Sequence, residues 1–247
     1  MVLRVFLCAL LLLPSCGRQL TKQERDFADA IQGETLNLDS VRLVQGAPVA
    51  NVTYFREERP RLACRERILP PVEPGLVTGR PAAVALFNKV YFARDWYLED
   101  YMSDFPDQMN LVAAMLLAHE LTHVWQWQNR RTTGYHPLRA AAEHGGRSDP
   151  YLFDLETSPD FLSYGFEQQG AIVEEYVCCR ALDPQATRTK RLHTMLSAHF
   201  DLTARCSGSF HTLIIDLEAI ESKTPKSQLV IDFAYAKYAR FWCVMHR

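Results

Sequence analysis

Between Asp107 and Arg131 the chain runs for more than twenty residues without a glycine or a proline. Met109 to Ala118 and Val124 to Gln128 are mostly apolar and fill more than one helical stripe. That pattern predicts one long helix buried on most sides, around which the rest must pack. Pro106 suits a first helical turn, with Ser103 or Asp104 as its cap. Within this helix stands His119-Glu120-Leu121-Thr122-His123. Residues four apart share a helix face, so both imidazoles can reach one metal ion, while Glu120 is offset toward a water held there. Burying two histidines and a glutamate in an apolar helix is costly unless they bind something.

A catalytic zinc ion takes three protein ligands and keeps one open position. The extension that supplies a third histidine is absent, because Gln126 stands where it requires glycine and Asn129 where it requires histidine. A second helical pattern, Phe166 to Val177, offers carboxylates instead. Glu167 is the first choice as third ligand, since Gly170 and Ala171 lie on its face and let the two helices approach closely. Glu174, seven residues on, shares that face; it is the alternative ligand, or an acceptor for the free ring nitrogen of a histidine.

The 247 residues are 48% hydrophobic, enough for a substantial core. A net charge of -2, with lysines and arginines scattered, gives no basis for nucleic-acid binding. Arg4 followed by Val5 to Leu13 has the form of an export signal, too short to span a bilayer. Leu13-Pro14-Ser15-Cys16-Gly17 resembles a bacterial lipobox, which makes Cys16 a candidate for lipidation. The expected organisation is a signal and lipobox over residues 1–16 and a single domain over 17–247, placed in the bacterial cell envelope. Contact with a membrane is expected only through a lipid anchor on Cys16. Cys64, Cys178, Cys179, Cys206 and Cys243 remain for disulfides or buried thiols. No Cys-x-x-Cys pair supports a redox or thiolate-metal site.

Thr21-Lys22-Gln23-Glu24 is a capping box ahead of Phe27, Ala28 and Ile31, with Gly33 as the stop. Val41 to Val44 and Val52 to Phe55 read as strands, and Pro70 to Gly75 as a loop. Ala82 to Phe87 and Val90 to Ala93, separated by Asn88-Lys89, read as a hairpin or one long strand. After a turn at Thr132 to Pro137 come a short helix ending at Glu143 and a polar loop at His144 to Pro150. Helical spacing returns over Gly165 to Arg180, Thr187 to Thr203, Leu213 to Ser222 and Ile231 to Met245. The fold class is therefore α+β, mainly helical, with a small sheet ahead of the His-Glu-x-x-His helix.

The two motifs together carry a resemblance. His119-Glu120-Leu121-Thr122-His123-Val124-Trp125-Gln126 with Glu167-Gln168-Gln169-Gly170-Ala171 resembles a bacterial family of zincin-type metallopeptidases found near contractile injection systems, Vgr-related proteins among them. More distantly it is similar to gluzincins. Gly170 stands where that bacterial family tends to have alanine. The resemblance implies a zincin-like domain with Zn2+ on His119, His123 and Glu167, Glu120 as general base, and a peptide or protein substrate. Tyr135, His136, His144, Tyr151 and Tyr164 are candidates for stabilising an oxyanion. The aromatics Trp125, Trp127, Tyr151, Phe153, Phe161 and Phe166 are candidates for lining a substrate groove, with most of them expected to be core. The competing expectation is a non-catalytic zinc-binding envelope lipoprotein, a scaffold or accessory factor of a secretion apparatus.

Overall fold

A computed structural model describes residues 17–202, apart from positions 49, 60, 62, 70, 72 and 146–148, together with the backbone of 212–214. Its order is α1 (Lys22–Gln32), β1 (Arg42–Gln45), β2 (Val52–Arg56), α2 (Cys64–Ile68), β3 (Gly75–Gly79), β4 (Ala83–Leu86), β5 (Lys89–Phe92) and β6 (Gln108–Asn110). Then follow α3 (Leu111–Gln128), α4 (Arg130–Thr133), α5 (Pro137–Glu143), α6 (Phe166–Leu182), α7 (Thr187–Leu196) and β7 (Thr212–Ile214). The class is α+β, as the sequence predicts. The signal, the lipobox with Cys16, the helices expected over 213–222 and 231–245 beyond Ile214, and Cys206 and Cys243 lie outside the described residues. No helix among the described residues is long and apolar enough to cross a membrane.

The central helix, α3, has 14 of its 18 residues buried. One side faces the three-stranded sheet β1-β5-β4, and the other packs along α6, which is backed by α7. Enclosure on both sides is why its apolar residues are not confined to one stripe. In the sheet, β4 and β5 form the antiparallel hairpin, with its turn at Phe87 and Asn88, and β1 joins β5 in parallel. Leu43, Val90 and Phe92 are fully buried in the core that α1 and α3 also join.

Two expectations are corrected. The long helix begins at Leu111 rather than near Pro106, and its cap is Asn110, whose Oδ1 accepts from the Ala113 amide at 3.0 Å. Residues 108–110 are drawn into parallel pairing with β7 instead, with Met109 buried beside the core. Leu213 and Ile214 accordingly lie in that strand rather than opening a helix, in keeping with the β-preferring run Thr212-Leu213-Ile214-Ile215. Strand β3 and helix α2 go beyond the sequence reading. They form an excursion in which β2 and β3 pair antiparallel, apart from the main sheet.

Helix α1 carries the predicted capping box: Thr21 Oγ1 accepts from the Glu24 amide at 3.1 Å, and the Glu24 carboxylate accepts from the Thr21 amide at 2.9 Å. Glu24 is fully buried and does more than cap. It takes two bonds of 2.7 Å from Arg18 and one of 2.9 Å from the Tyr101 amide, tying the N-terminal segment to the loop ahead of α3. Replacing Glu24 by alanine strands a mostly buried guanidinium and two amides. Urea unfolding of Glu24→Ala is expected to show a loss on the order of 3 kcal/mol.

Candidate metal centre

Helices α3 and α6 place His119, His123 and Glu167 against one another, all three buried. His119 Nε2 and His123 Nε2 are 3.1 Å apart, and Glu167 Oε2 stands 3.3 Å from the first and 3.4 Å from the second. Three donor atoms thus make a nearly equilateral triangle. Donors held at about 2.05 Å around a tetrahedral ion stand about 3.3 Å apart, so the triangle has the edge length such an ion requires. Two imidazoles and one carboxylate are also a donor set suited to zinc.

The remaining ring nitrogens face acceptors that aim the Nε2 lone pairs inward. His123 Nδ1 lies 2.8 Å from Gln126 Oε1, and the Gln126 amide nitrogen donates to Gln169 Oε1 at 2.9 Å and to the Phe166 carbonyl at 3.1 Å. His119 Nδ1 lies 3.1 Å from Glu174 Oε1, at ion-pair distance without the alignment of a hydrogen bond. Acceptors of this kind orient imidazoles that bind metals. Glu174 therefore sits on the far side of the His119 ring from Glu167, apart from the donor triangle.

The closeness of the two helices depends on Gly170. A Cβ there would come within 2.6–2.8 Å of three atoms of the His119 ring. Glu167 is fixed from behind by Glu143, whose carboxylate accepts from the amides of Phe166 and Glu167 at 2.9 and 3.0 Å. That carboxylate satisfies orphan amides at the start of α6 and complements its dipole.

Glu120 is buried and its Oε2 has no hydrogen-bond partner. Burial pushes its carboxyl above the usual range, against the pull of His119 and His123. Burial also acts on Glu167, but the two imidazoles outweigh it and hold this carboxyl well below its usual range. On His119, burial is outweighed by Glu167 and Glu174, and the imidazole is pushed up to about 10. The opposed shifts of the two carboxyls come from environment: burial dominates at Glu120, and the imidazoles dominate at Glu167.

The oxyanion candidates separate. Tyr151 OH is 2.8 Å from His144 Nε2, its ring is 6.1 Å from that of His119, and His144 Nε2 is 3.8 Å from Glu167 Oε1. Burial and Glu167 raise the Tyr151 hydroxyl well above its usual range, so it stays a donor. Tyr135 stacks near His123, whereas the Tyr164 hydroxyl is used within its own loop and exposed His136 caps α5. Trp125 and Phe161 pack in the core with Phe200, as expected, and Trp127 lies between Phe87 and Arg130. The sequence reading gives no role to Gln126, Glu143 or Arg65. Gln126 had a signal, being three residues from His123 on the same face; the other two are joined to the site only by the fold.

No protein-family model matches this chain. It is similar to the type VI secretion system spike protein VgrG2b of Pseudomonas aeruginosa, 26% identical over 170 residues. That match covers 65% of this chain but only 13% of the VgrG2b sequence, so it concerns a small part of the longer protein. The solved effector domain of VgrG2b aligns with 79% of this chain and 93% of its own length, at 21% identity and a TM-score of 0.46.

Gln126 satisfies three buried groups at once. Gln126→Leu leaves His123 Nδ1, the Gln169 side chain and the Phe166 carbonyl without that partner, and chemical denaturation is expected to show a loss on the order of 2 kcal/mol.

Proposed function

We propose that the chain is an exported zinc-dependent peptide hydrolase, acting in the bacterial envelope as an effector related to the VgrG2b segment it resembles. The observation that carries this reading is the donor triangle of His119, His123 and Glu167 beside buried Glu120, whose Oε2 has no hydrogen-bond partner. A purely structural zinc site needs ligands but no base. The Cys64–Cys178 disulfide supports an oxidising compartment, in line with the export signal. The similarity to a type VI secretion system spike protein supports a link to that kind of secretion system.

His119, His123 and Glu167 would hold the zinc ion. When bound, zinc supplies Lewis acidity that polarises a carbonyl and makes water more acidic. Glu120 accepts the proton of the attacking water and passes it to the leaving amine, for which a carboxyl raised by burial is suited. Tyr151 keeps its proton and donates a hydrogen bond to the oxyanion that develops on the substrate, with His144 setting the direction of the hydroxyl. Gln126 keeps the His123 imidazole oriented by a hydrogen bond, and Glu174 faces the His119 ring at ion-pair distance.

Purified protein is expected to contain about one zinc per chain. Glu120→Gln should retain the metal and lose peptide cleavage by at least about 100-fold. His119→Ala should lose both, and Tyr151→Phe should slow turnover by about 100-fold with zinc content unchanged. Metal analysis and turnover on a peptide library read all three. Absence of zinc from the wild-type protein would overturn the proposal; stoichiometric zinc without hydrolysis of any peptide would favour the scaffold reading.

A further inference from the structure

The excursion between β2 and β3 reaches the metal centre from outside. Helix α2 begins at Cys64, which is joined by a disulfide to Cys178 of α6, 114 residues away in sequence. The amides of Cys64 and Arg65 donate to the two carboxylate oxygens of Glu175 at 2.9 and 3.3 Å. Glu175 is fully buried, and Arg188 holds it from the other side. This end of α2 is thus fastened to α6 by one covalent bond and two hydrogen bonds.

The side chain that this fastening places is Arg65. Its Nη1 donates to Glu174 Oε2 at 2.5 Å, while Glu174 Oε1 faces His119 Nδ1 at 3.1 Å. The two oxygens of one carboxylate are therefore divided between a guanidinium and an imidazole. Without the guanidinium, Glu174 has no second anchor among these contacts and is free to turn away from His119.

We infer that Arg65 is a positioning residue for the metal centre: it fixes Glu174 on His119 Nδ1, and the Cys64–Cys178 disulfide keeps Arg65 within reach. The inference rests on the metal-site reading above. It makes zinc affinity depend on the oxidation state of the chain. Oxidation joins Cys64 Sγ to Cys178 Sγ by exchange with a disulfide such as oxidised glutathione; the two thiols give up two protons and two electrons, and the oxidant leaves as two thiols. The neighbouring Cys179 is buried, with its Sγ 3.4 Å from Glu175 Oε1 as a donor, and stays outside this exchange as a protonated thiol. A chain made in a reducing compartment then holds zinc weakly and tightens on it after export.

The test is the zinc dissociation constant of the purified full chain, measured by competition with a fluorescent chelator, with cobalt(II) absorption as a second readout. Arg65→Gln should weaken zinc binding by about 10–100-fold while keeping the disulfide and the near-UV circular dichroism of the wild type. Arg65→Lys should recover part of that loss. Cys64→Ser combined with Cys178→Ser should weaken zinc to a similar degree, and adding Arg65→Gln to that pair should cost little more. A reductant should weaken the wild type and leave the double serine variant unchanged. Zinc binding by Arg65→Gln as tight as wild type would overturn the inference while leaving the metal site intact. A wild-type chain that binds no zinc would overturn the metal reading and this inference together. Should the double serine variant fail to fold, Arg65→Gln decides alone.

Discussion

The contact between α3 and α6 is what the rest of the structure depends on. It buries two imidazoles and the carboxylates of Glu120 and Glu167 in one small volume, with the half-buried carboxylate of Glu174 beside them. Desolvating a carboxylate costs several kcal/mol, and this cost is offset only where opposite charge and hydrogen-bond donors converge. The helices approach closely enough for that because residue 170 has no side chain, and the His119 ring occupies the space a Cβ would take. The hydrophobic elements around the contact hold the pair in place: the β1-β5-β4 sheet behind α3, and α7 behind α6.

Around this contact the fold adds supports from distant parts of the chain. Glu143 secures the first turn of α6, and Gln126 joins His123 to α6 through Gln169 and the Phe166 carbonyl. The excursion contributes Arg65 on Glu174, and a second link from Arg59, whose guanidinium makes two bonds of 2.7 and 2.6 Å to buried Asp149. Asp149 in turn accepts from the Tyr151 amide at 3.0 Å, and Tyr54 packs edge-on against the Tyr151 ring. The same insertion therefore supports both the far side of His119 and the tyrosine beside the donor triangle.

Much of this was legible in the sequence where the signal is local. The capping box at Thr21, the buried helix and the spacing of His119 and His123 all follow from short-range patterns, whereas the segments around Asn88 read equally as a hairpin or one long strand until the pairing of β4 with β5 decides. Glu167 and Glu174 could be proposed as neighbours of the histidines because both lie on the face of α6 that carries small residues. What was not legible depends on contacts between distant segments. The pairing of Cys64 with Cys178 and the role of Arg65 are set by how segments meet, and no local pattern marks them. Strand β6 is unmarked in the sequence for the same reason, since its partner lies about a hundred residues downstream.

His119, His123 and Glu167 are proposed to hold one zinc ion between α3 and α6. The most direct test is anomalous diffraction at the zinc absorption edge from crystals of the purified chain. A single strong peak is expected between the two helices, about 2.0–2.2 Å from both Nε2 atoms and from a Glu167 oxygen. No peak at that position, or a peak bound by Glu174 in place of Glu167, would contradict it.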